Sequence, residues 1–115
     1  MPGWYYHYID DPAEVTQIKD DRRIQSMQPS ANPLTWYTPT RYDNPSQAQQ
    51  DLSMSKSPTH RVGGIPDAAM PTFHVSLRLA PAAHGQPGGG VEAATRDIVW
   101  LCGLWNFAGS GSWDL

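Results

Sequence analysis

The clearest hydrophobic pattern in the chain runs through residues 72–79. Phe73, Val75, Leu77 and Leu79 alternate there with polar side chains. An alternation of period two is typical of a strand that buries one face and exposes the other. The segment is therefore predicted to be a half-buried strand.

Aromatic and β-branched runs predict further strands, and prolines or glycines separate them. The most strongly patterned are residues 4–9 and 34–38, each followed closely by a proline. The other predicted extended segments are residues 24–27, 59–66 with a glycine bulge, 91–95, 98–101 and 104–107.

A first helix is predicted over residues 12–19. Asp11 can cap it, Pro12 suits its first position, and Glu14 stands where an acid completes a capping box. The capping position also gives Glu14 a purely structural interpretation.

A second helix is predicted from Asn44 to Leu52, with Asn44 as the cap and Pro45 in the first turn. The order is then strand, helix, strand, helix, followed by strands only. This order predicts an α+β domain with two short helices in its N-terminal half, set to one side of the sheet.

Composition narrows the possible functions. The chain has 115 residues, enough for one domain, and a formal net charge of -3. Its few basic residues are scattered, so a nucleic-acid partner is not expected. No apolar run approaches the ~18 residues of a membrane span, and no membrane partner is expected either. The single cysteine, Cys102, is interpreted as a small buried apolar side chain.

The usual catalytic and metal-binding motifs are missing from the sequence. The four histidines lie far apart and lack the short spacing of zinc ligands, so no metal is expected. No Gly-x-Ser-x-Gly elbow precedes a helix, and no glycine-rich phosphate loop follows a strand.

A glycine-rich turn leads directly into Glu92, one of only two glutamates in the chain. Residues 85–90 contain four glycines, which allow positive φ and close approach of the backbone to a ligand. One interpretation is a small-molecule cleft with Glu92 as its acid. The alternative is a solvated hairpin with an exposed carboxylate.

Several motifs occur in an order that resembles a known family. They are Tyr6-His7-Tyr8, Trp36-Tyr37-Thr38-Pro39, Tyr42, Ala48-Gln49-Gln50-Asp51-Leu52, Pro58-Thr59-His60-Arg61, Ile65-Pro66 and Pro87-Gly88-Gly89-Gly90-Val91-Glu92. Together they resemble the histidine-tyrosine-acid branch of the ADP-ribosyltransferase fold. The resemblance is strongest to the Tre-Tu type of toxin domain, found at the end of bacterial polymorphic effectors of the Rhs and type VI secretion classes.

The resemblance covers roughly residues 4–106 and implies a small split β-sheet core. A single toxin domain is expected over residues 1–108, with a flexible tail over 109–115. The chain lacks the arginine and the Ser-Thr-Ser motif of the other branch of this fold, and Gly90 stands where some members carry a second acid.

The resemblance also implies residue roles. His7 is expected to hydrogen-bond a ribose or the phosphates of NAD, and Tyr37 to stack on the nicotinamide ring. Glu92 is expected to stabilise the positive charge that grows on the nicotinamide ribose, and Thr38 to bond the ribose or carboxamide. His7 and Tyr37 also have a structural interpretation, as ordinary core residues of aromatic strands.

The function implied by the resemblance is an NAD-dependent mono-ADP-ribosyltransferase toxin that modifies a bacterial protein. The type member modifies elongation factor Tu, which makes that factor the candidate target and inhibited translation the outcome. NAD would be a substrate, and a cognate immunity protein would be a partner. The domain would be secreted as part of a larger effector and act in the cytoplasm of the target cell. An NAD glycohydrolase toxin and a non-catalytic binding domain are the alternatives.

Overall fold

The computed structural model describes residues 3–25, 34–100, 103–108 and 112–114. Its helices are α1 (Pro12–Asp21) and α2 (Pro45–Asp51), with one 3-10 turn at Asp67–Ala69. Its strands are β1 (Trp4–Tyr5), β2 (Tyr8–Ile9), β3 (Arg23–Ile24), β4 (Thr35–Tyr37), β5 (His60–Val62), β6 (Ile65–Pro66), β7 (Val75–Leu79), β8 (Val91–Thr95), β9 (Val99–Trp100), β10 (Leu104–Asn106) and β11 (Ser112–Trp113).

The described strands form small antiparallel sheets. The largest has the order β11-β10-β5-β2, the next has the order β4-β8-β7, and β1-β6 and β3-β9 are two-stranded. Two helices accompany them, so the fold is of the α+β kind that the element order predicted. Neither helix in the described part of the chain is long and apolar enough to cross a bilayer.

The predicted first strand and the predicted 59–66 strand form one interrupted antiparallel ladder. Tyr5 pairs with Ile65, and Tyr8 pairs with Arg61. Two residues separate these pairs on the first strand and three on the second, which is the count of a β-bulge. The extra residue lies in the segment that contains Gly63 and Gly64, as predicted. The ladder divides here into β1-β6 and β2-β5.

Both helices begin at the predicted caps. Asp11 accepts a hydrogen bond from the Ala13 N–H at 2.9 Å, and Asn44 accepts from the Ser46 N–H at 2.9 Å. The first helix continues two residues beyond its predicted end and stops where Arg22 adopts a left-handed conformation with φ 57°. No glycine or proline intervenes to end it earlier.

The predicted capping box at α1 is only half formed, because Glu14 has a different partner. Its carboxylate bonds the buried ring of His7 at 2.8 Å. Asp11 is exposed, so water can take the place of Glu14 as the partner of its backbone N–H. The buried imidazole of His7 has no such substitute, and leaving it unpaired would be costly.

The prediction of a half-buried strand over residues 72–79 was wrong in its burial pattern. β7 begins only at Val75, and Leu77 and Leu79 are 42% and 69% exposed. The cause is a bulge: Ser76 and Leu77 lie opposite the single residue Ala93. The extra residue breaks the alternation that the sequence pattern assumes.

A buried arginine lies in the middle strand of the four-stranded sheet. Arg61 is 2% exposed, and its Nη1 donates to the Tyr42 carbonyl at 2.9 Å and to the Asp43 carboxylate at 2.8 Å. Its guanidinium carbon also lies within 6 Å of three ring centroids, those of Tyr6, Trp105 and Phe107. The aromatic residues of separate segments therefore pack around one cation.

The C-terminal segment predicted to be flexible contains β11. Ser112 and Trp113 pair with β10, and the Asp114 carboxylate bonds the His60 ring at 2.8 Å. Residues 109–111 and 115 lie outside the described residues. So do Cys102 and residues 26–27 of the predicted extended segment 24–27.

We expect Arg61→Ala to lower the free energy of unfolding by about 3 kcal/mol, because it opens a cavity among the rings and removes one of the two donors to the Tyr42 carbonyl, the other being the Tyr8 hydroxyl. Arg41→Ala is the matched control, since Arg41 bonds the same Asp43 oxygen from an exposed position. The control should barely change the urea midpoint. Equal midpoints for the two variants would show that the buried cation contributes nothing.

Candidate active site

One cleft of about 500 Å³ runs between the two larger sheets and contains all four predicted site residues. His7, Tyr37, Thr38 and Glu92 line it together. The remaining wall comes from the start of α1, the loop after α2 and the connection between β7 and β8. Its volume lies within the range of small-molecule sites.

His7 interrupts the first strand and is held at both ring nitrogens. Its Nδ1 lies 2.8 Å from the Trp36 carbonyl oxygen, and its Nε2 lies 2.8 Å from Glu14 Oε2. A carbonyl oxygen can only accept, so Nδ1 carries a proton. A second proton is then shared between Nε2 and the Glu14 carboxylate. Neither nitrogen is free for a ligand in this arrangement.

The pKa of His7 is raised above the ordinary histidine value. Burial by itself lowers this pKa, but the Glu14 carboxylate and the Trp36 carbonyl oppose burial and outweigh it. The ring therefore keeps its second proton to a higher pH than a free histidine would, and it forms an ion pair with Glu14.

Tyr37 forms part of the floor of the cleft. It is 1% exposed, and its ring centroid lies 5.4 Å from that of His7. Burial first, and the Glu14 charge second, raise the pKa of Tyr37, so its hydroxyl keeps its proton. That hydroxyl has no hydrogen-bond partner among the described residues. The hydroxyl oxygen is itself buried, and the ring face is largely covered as well.

Thr38 has a structural role that is visible in its contacts. Its backbone exchanges two hydrogen bonds with Tyr6, at 2.8 and 2.9 Å. Its hydroxyl accepts from the Thr40 N–H at 3.1 Å. Thr38 therefore joins the first strand to β4 and begins the turn that follows.

Glu92 is buried, and a neighbouring strand holds it by one oxygen. Arg78 lies directly opposite in β7 and donates to Glu92 Oε2 from both Nε and Nη2 at 3.1 Å. The guanidinium carbon in turn lies 4.8 Å from the ring centroid of Trp36. No described residue hydrogen-bonds the other oxygen, Glu92 Oε1, which leaves it to face a ligand.

The glycine turn positions Glu92 by docking on the end of α2. Gly88 N–H donates to the Gln50 carbonyl at 3.0 Å, and Gly90 N–H donates to the Asp51 carbonyl at 2.9 Å. These carbonyls belong to the last turn of a helix, where no intrahelical partner exists. A Cβ at Gly90 would lie 2.9 Å from the Tyr42 hydroxyl and 3.0 Å from the Asp51 carbonyl oxygen. This close approach requires a glycine.

The described residues contain no group of three or more His, Cys, Asp or Glu side chains placed to hold a metal ion. Glu14 pairs with His7 and Glu92 with Arg78, while Asp10 and Asp11 also line the cleft. A carboxylate held in this way can stabilise a positive charge that develops beside it.

The sequence interpretation missed Arg78 and Trp36. The pairing of Arg78 with Glu92 could not have been found by counting from the turn, because an extra residue lies on the β8 side between the 83/86 pair and the 79/91 pair. The contact of Trp36 with both His7 and Arg78 has no local signal, because it depends on how β4 packs between two other segments.

No protein-family model matches the chain, and no curated protein or solved structure is significantly similar to it. The case for a function therefore depends on the cleft itself and on the order of motifs in the sequence.

The His7–Glu14 pair predicts a specific pH dependence of stability. A histidine with a raised folded pKa contributes stability that is complete below its unfolded pKa, about 6.5, and is lost as the pH rises through the folded value. Each unit of difference corresponds to about 1.4 kcal/mol. In Glu14→Gln only the Trp36 carbonyl and the Asp10 charge still oppose burial, so the pKa of His7 falls relative to the wild type and the stabilising contribution should shrink.

The measurement is urea unfolding of the wild type and Glu14→Gln between pH 5.5 and 8.5. We expect the stability advantage of the wild type to shrink as the pH rises. Other titrating groups cancel in the difference between the two proteins. A difference that stays constant over this range would contradict a proton shared between His7 and Glu14.

Proposed function

We propose that the protein is an NAD-dependent mono-ADP-ribosyltransferase. The observation that carries the proposal is Glu92, a buried carboxylate that lines the cleft and has one oxygen held by Arg78. The resemblance of the motif order to the Tre-Tu toxin domains supports the same function.

The physical argument concerns the bond between nicotinamide and ribose. As this bond breaks, positive charge grows on the ribose, and a fixed anion in a cleft with little water lowers the free energy of that transition state. Arg78 keeps Glu92 from rotating towards other donors. The carboxylate thus needs little reorganisation when the charge develops.

The cleft fits a dinucleotide substrate in part. Its volume suits a small organic ligand. His7 fits the proposal as a positioning residue, since both of its nitrogens are occupied. Direct bonding of NAD by His7 requires Glu14 to move away, and stacking on Tyr37 requires its ring to become exposed.

The biological setting follows from the resemblance. The target is a bacterial protein, for which elongation factor Tu is the first candidate, and the consequence is inhibited translation. The domain would belong to a larger secreted effector with a cognate immunity protein. The same cleft also suits the NAD glycohydrolase alternative, in which water replaces the protein acceptor. A non-catalytic binding domain would leave NAD intact.

We expect the purified protein to release nicotinamide from NAD and to transfer label from biotinylated NAD to a protein in bacterial lysate. Glu92→Gln should lower the rate by about 100-fold, because it removes the anion but keeps the side-chain shape. Asp97→Asn, which neutralises an exposed acid beyond the end of β8, should leave the rate unchanged.

The three functions give different results in this assay. Release with label on one protein band supports the transferase, and equal release with no labelled protein supports the glycohydrolase. Intact NAD in every tube, with the wild type correctly folded, would rule out both enzymes and leave a binding domain.

Arg78 gives an independent prediction about the same carboxylate. Arg78→Gln should lower kcat by about 10-fold with a smaller effect on KM, because Glu92 loses its fixed orientation. Arg78→Lys should recover only part of the loss, since lysine lacks the planar fork and the stacking on Trp36. Arg96→Gln removes an exposed arginine near the end of β8 and serves as the charge control. Equal rates for the wild type and Arg78→Gln would show that the pairing has no role in catalysis.

A further inference from the structure

His84 lies at the tip of the connection between β7 and β8, in a conformation that few non-glycine residues adopt. Ala83 and Gln86 pair through two backbone hydrogen bonds, at 2.9 and 3.2 Å. The two residues between them, His84 and Gly85, have φ of 54° and 75°. Both values are positive, as in the type I′ turn that asparagine-glycine usually occupies. A histidine is an unusual choice at the first of these positions.

The imidazole of His84 is anchored at one nitrogen only. Its Nδ1 lies 2.9 Å from the carbonyl oxygen of Ser53 in the loop after α2. Ser53 also donates its hydroxyl to the Pro81 carbonyl at 2.6 Å. The loop after α2 therefore holds the β7-β8 connection at two points. Because a carbonyl oxygen only accepts, Nδ1 carries the proton. In neutral His84 the lone pair is therefore on Nε2.

His84 is exposed and lines the cleft that contains Glu92. The other imidazole there, His7, has both nitrogens occupied. Glu14 is paired with His7, and Glu92 with Arg78. Among the described residues that line the cleft, His84 is the imidazole with a basic nitrogen left open, and imidazole is the side chain best suited to accept a proton near neutral pH.

We propose that His84 is the general base of this site. The inference rests on the proposed function and adds a residue to it. In the step, the nucleophile, a protein side chain or water, forms a bond to the ribose carbon C1′. The bond between that carbon and the nicotinamide nitrogen breaks, and nicotinamide leaves as a neutral molecule. The proton of the nucleophile passes to Nε2 of His84 and then to solvent, so NAD⁺ and the nucleophile yield the ADP-ribosyl product, nicotinamide and one proton.

The charged groups on the elements that meet this connection are few. Asp51 ends α2 and accepts a hydrogen bond from Gln47, Arg78 lies on β7, and Glu92 lies on β8. The last two neutralise each other. Asp10, Asp11 and the His7–Glu14 pair line the same cleft, so the pH profile of the wild-type rate is compared with that of His84→Asn, which retains all of these groups.

Two substitutions separate the role of the His84 imidazole as a base from the role of residue 84 in the turn conformation. His84→Asn keeps a residue that tolerates positive φ and can still donate to the Ser53 carbonyl, but it has no basic nitrogen. His84→Gly removes the side chain and suits the backbone better than histidine. Both variants should unfold at urea concentrations at or above that of the wild type.

The readouts are nicotinamide release and label transfer from biotinylated NAD in bacterial lysate, between pH 5.5 and 8.5. The wild-type rate should be higher at the alkaline end of this range than at the acidic end, because only a neutral imidazole can accept the proton. His84→Asn should be about 100-fold slower, with a flat profile. Free imidazole in the buffer should restore at least roughly tenfold activity to His84→Gly, because it can enter the space left by the side chain and accept the proton. A merely structural role would not produce this rescue.

The outcomes distinguish this inference from the proposed function. If His84→Asn releases nicotinamide at the wild-type rate and with the same pH profile, His84 is not the general base, and the proposed transferase function still stands. Failure of imidazole to rescue His84→Gly also overturns the general base. A wild type that releases no nicotinamide overturns the proposed function and the general base together.

Discussion

The buried imidazole of His7 is the constraint on which the arrangement of the cleft depends. One nitrogen bonds the carbonyl of Trp36 in β4, and the other bonds Glu14 in α1. A buried imidazole that lost either partner would leave a polar group unpaired in the interior, which costs more than the bond itself contributes. The first strand, α1 and β4 must therefore stay in register with each other.

The opposite wall of the cleft is fixed by the end of α2. A seven-residue helix is too short to be stable alone, and its last carbonyls need donors. Gly88 and Gly90 supply them from the β7-β8 connection. The same contacts bring Glu92 to its place opposite Arg78. Trp36 links the two walls, because its carbonyl holds His7 while its ring stacks on Arg78.

The sequence predicted local features well and long-range features poorly. The caps at Asp11 and Asn44 and the glycine bulge near Gly63 are encoded by a few adjacent residues, and the structure contains all three. The exposed face of β7 could not be predicted, because its bulge depends on how the strand pairs with β8. The pairing of Glu14 with His7 was equally hidden, since Glu14 also satisfies a local capping rule. The four site residues were predicted from the order of several motifs along the chain. No single motif would have identified them.

Three choices of residue in the cleft are unfavourable for stability, and this argues for function at that place. A carboxylate at position 92 is buried against a half-exposed arginine, a pairing that rarely repays desolvation. Phenylalanine would replace Tyr37 without burying an unpartnered hydroxyl. Glycine or asparagine would fit the turn at His84 with less strain. The buried Arg61 is costly too, but three rings and two oxygens surround it. Arg78 compensates Glu92 in part and the Ser53 carbonyl anchors His84, but the Tyr37 hydroxyl has no partner among the described residues. The convergence of these three residues on one cavity is what selection for a ligand would leave.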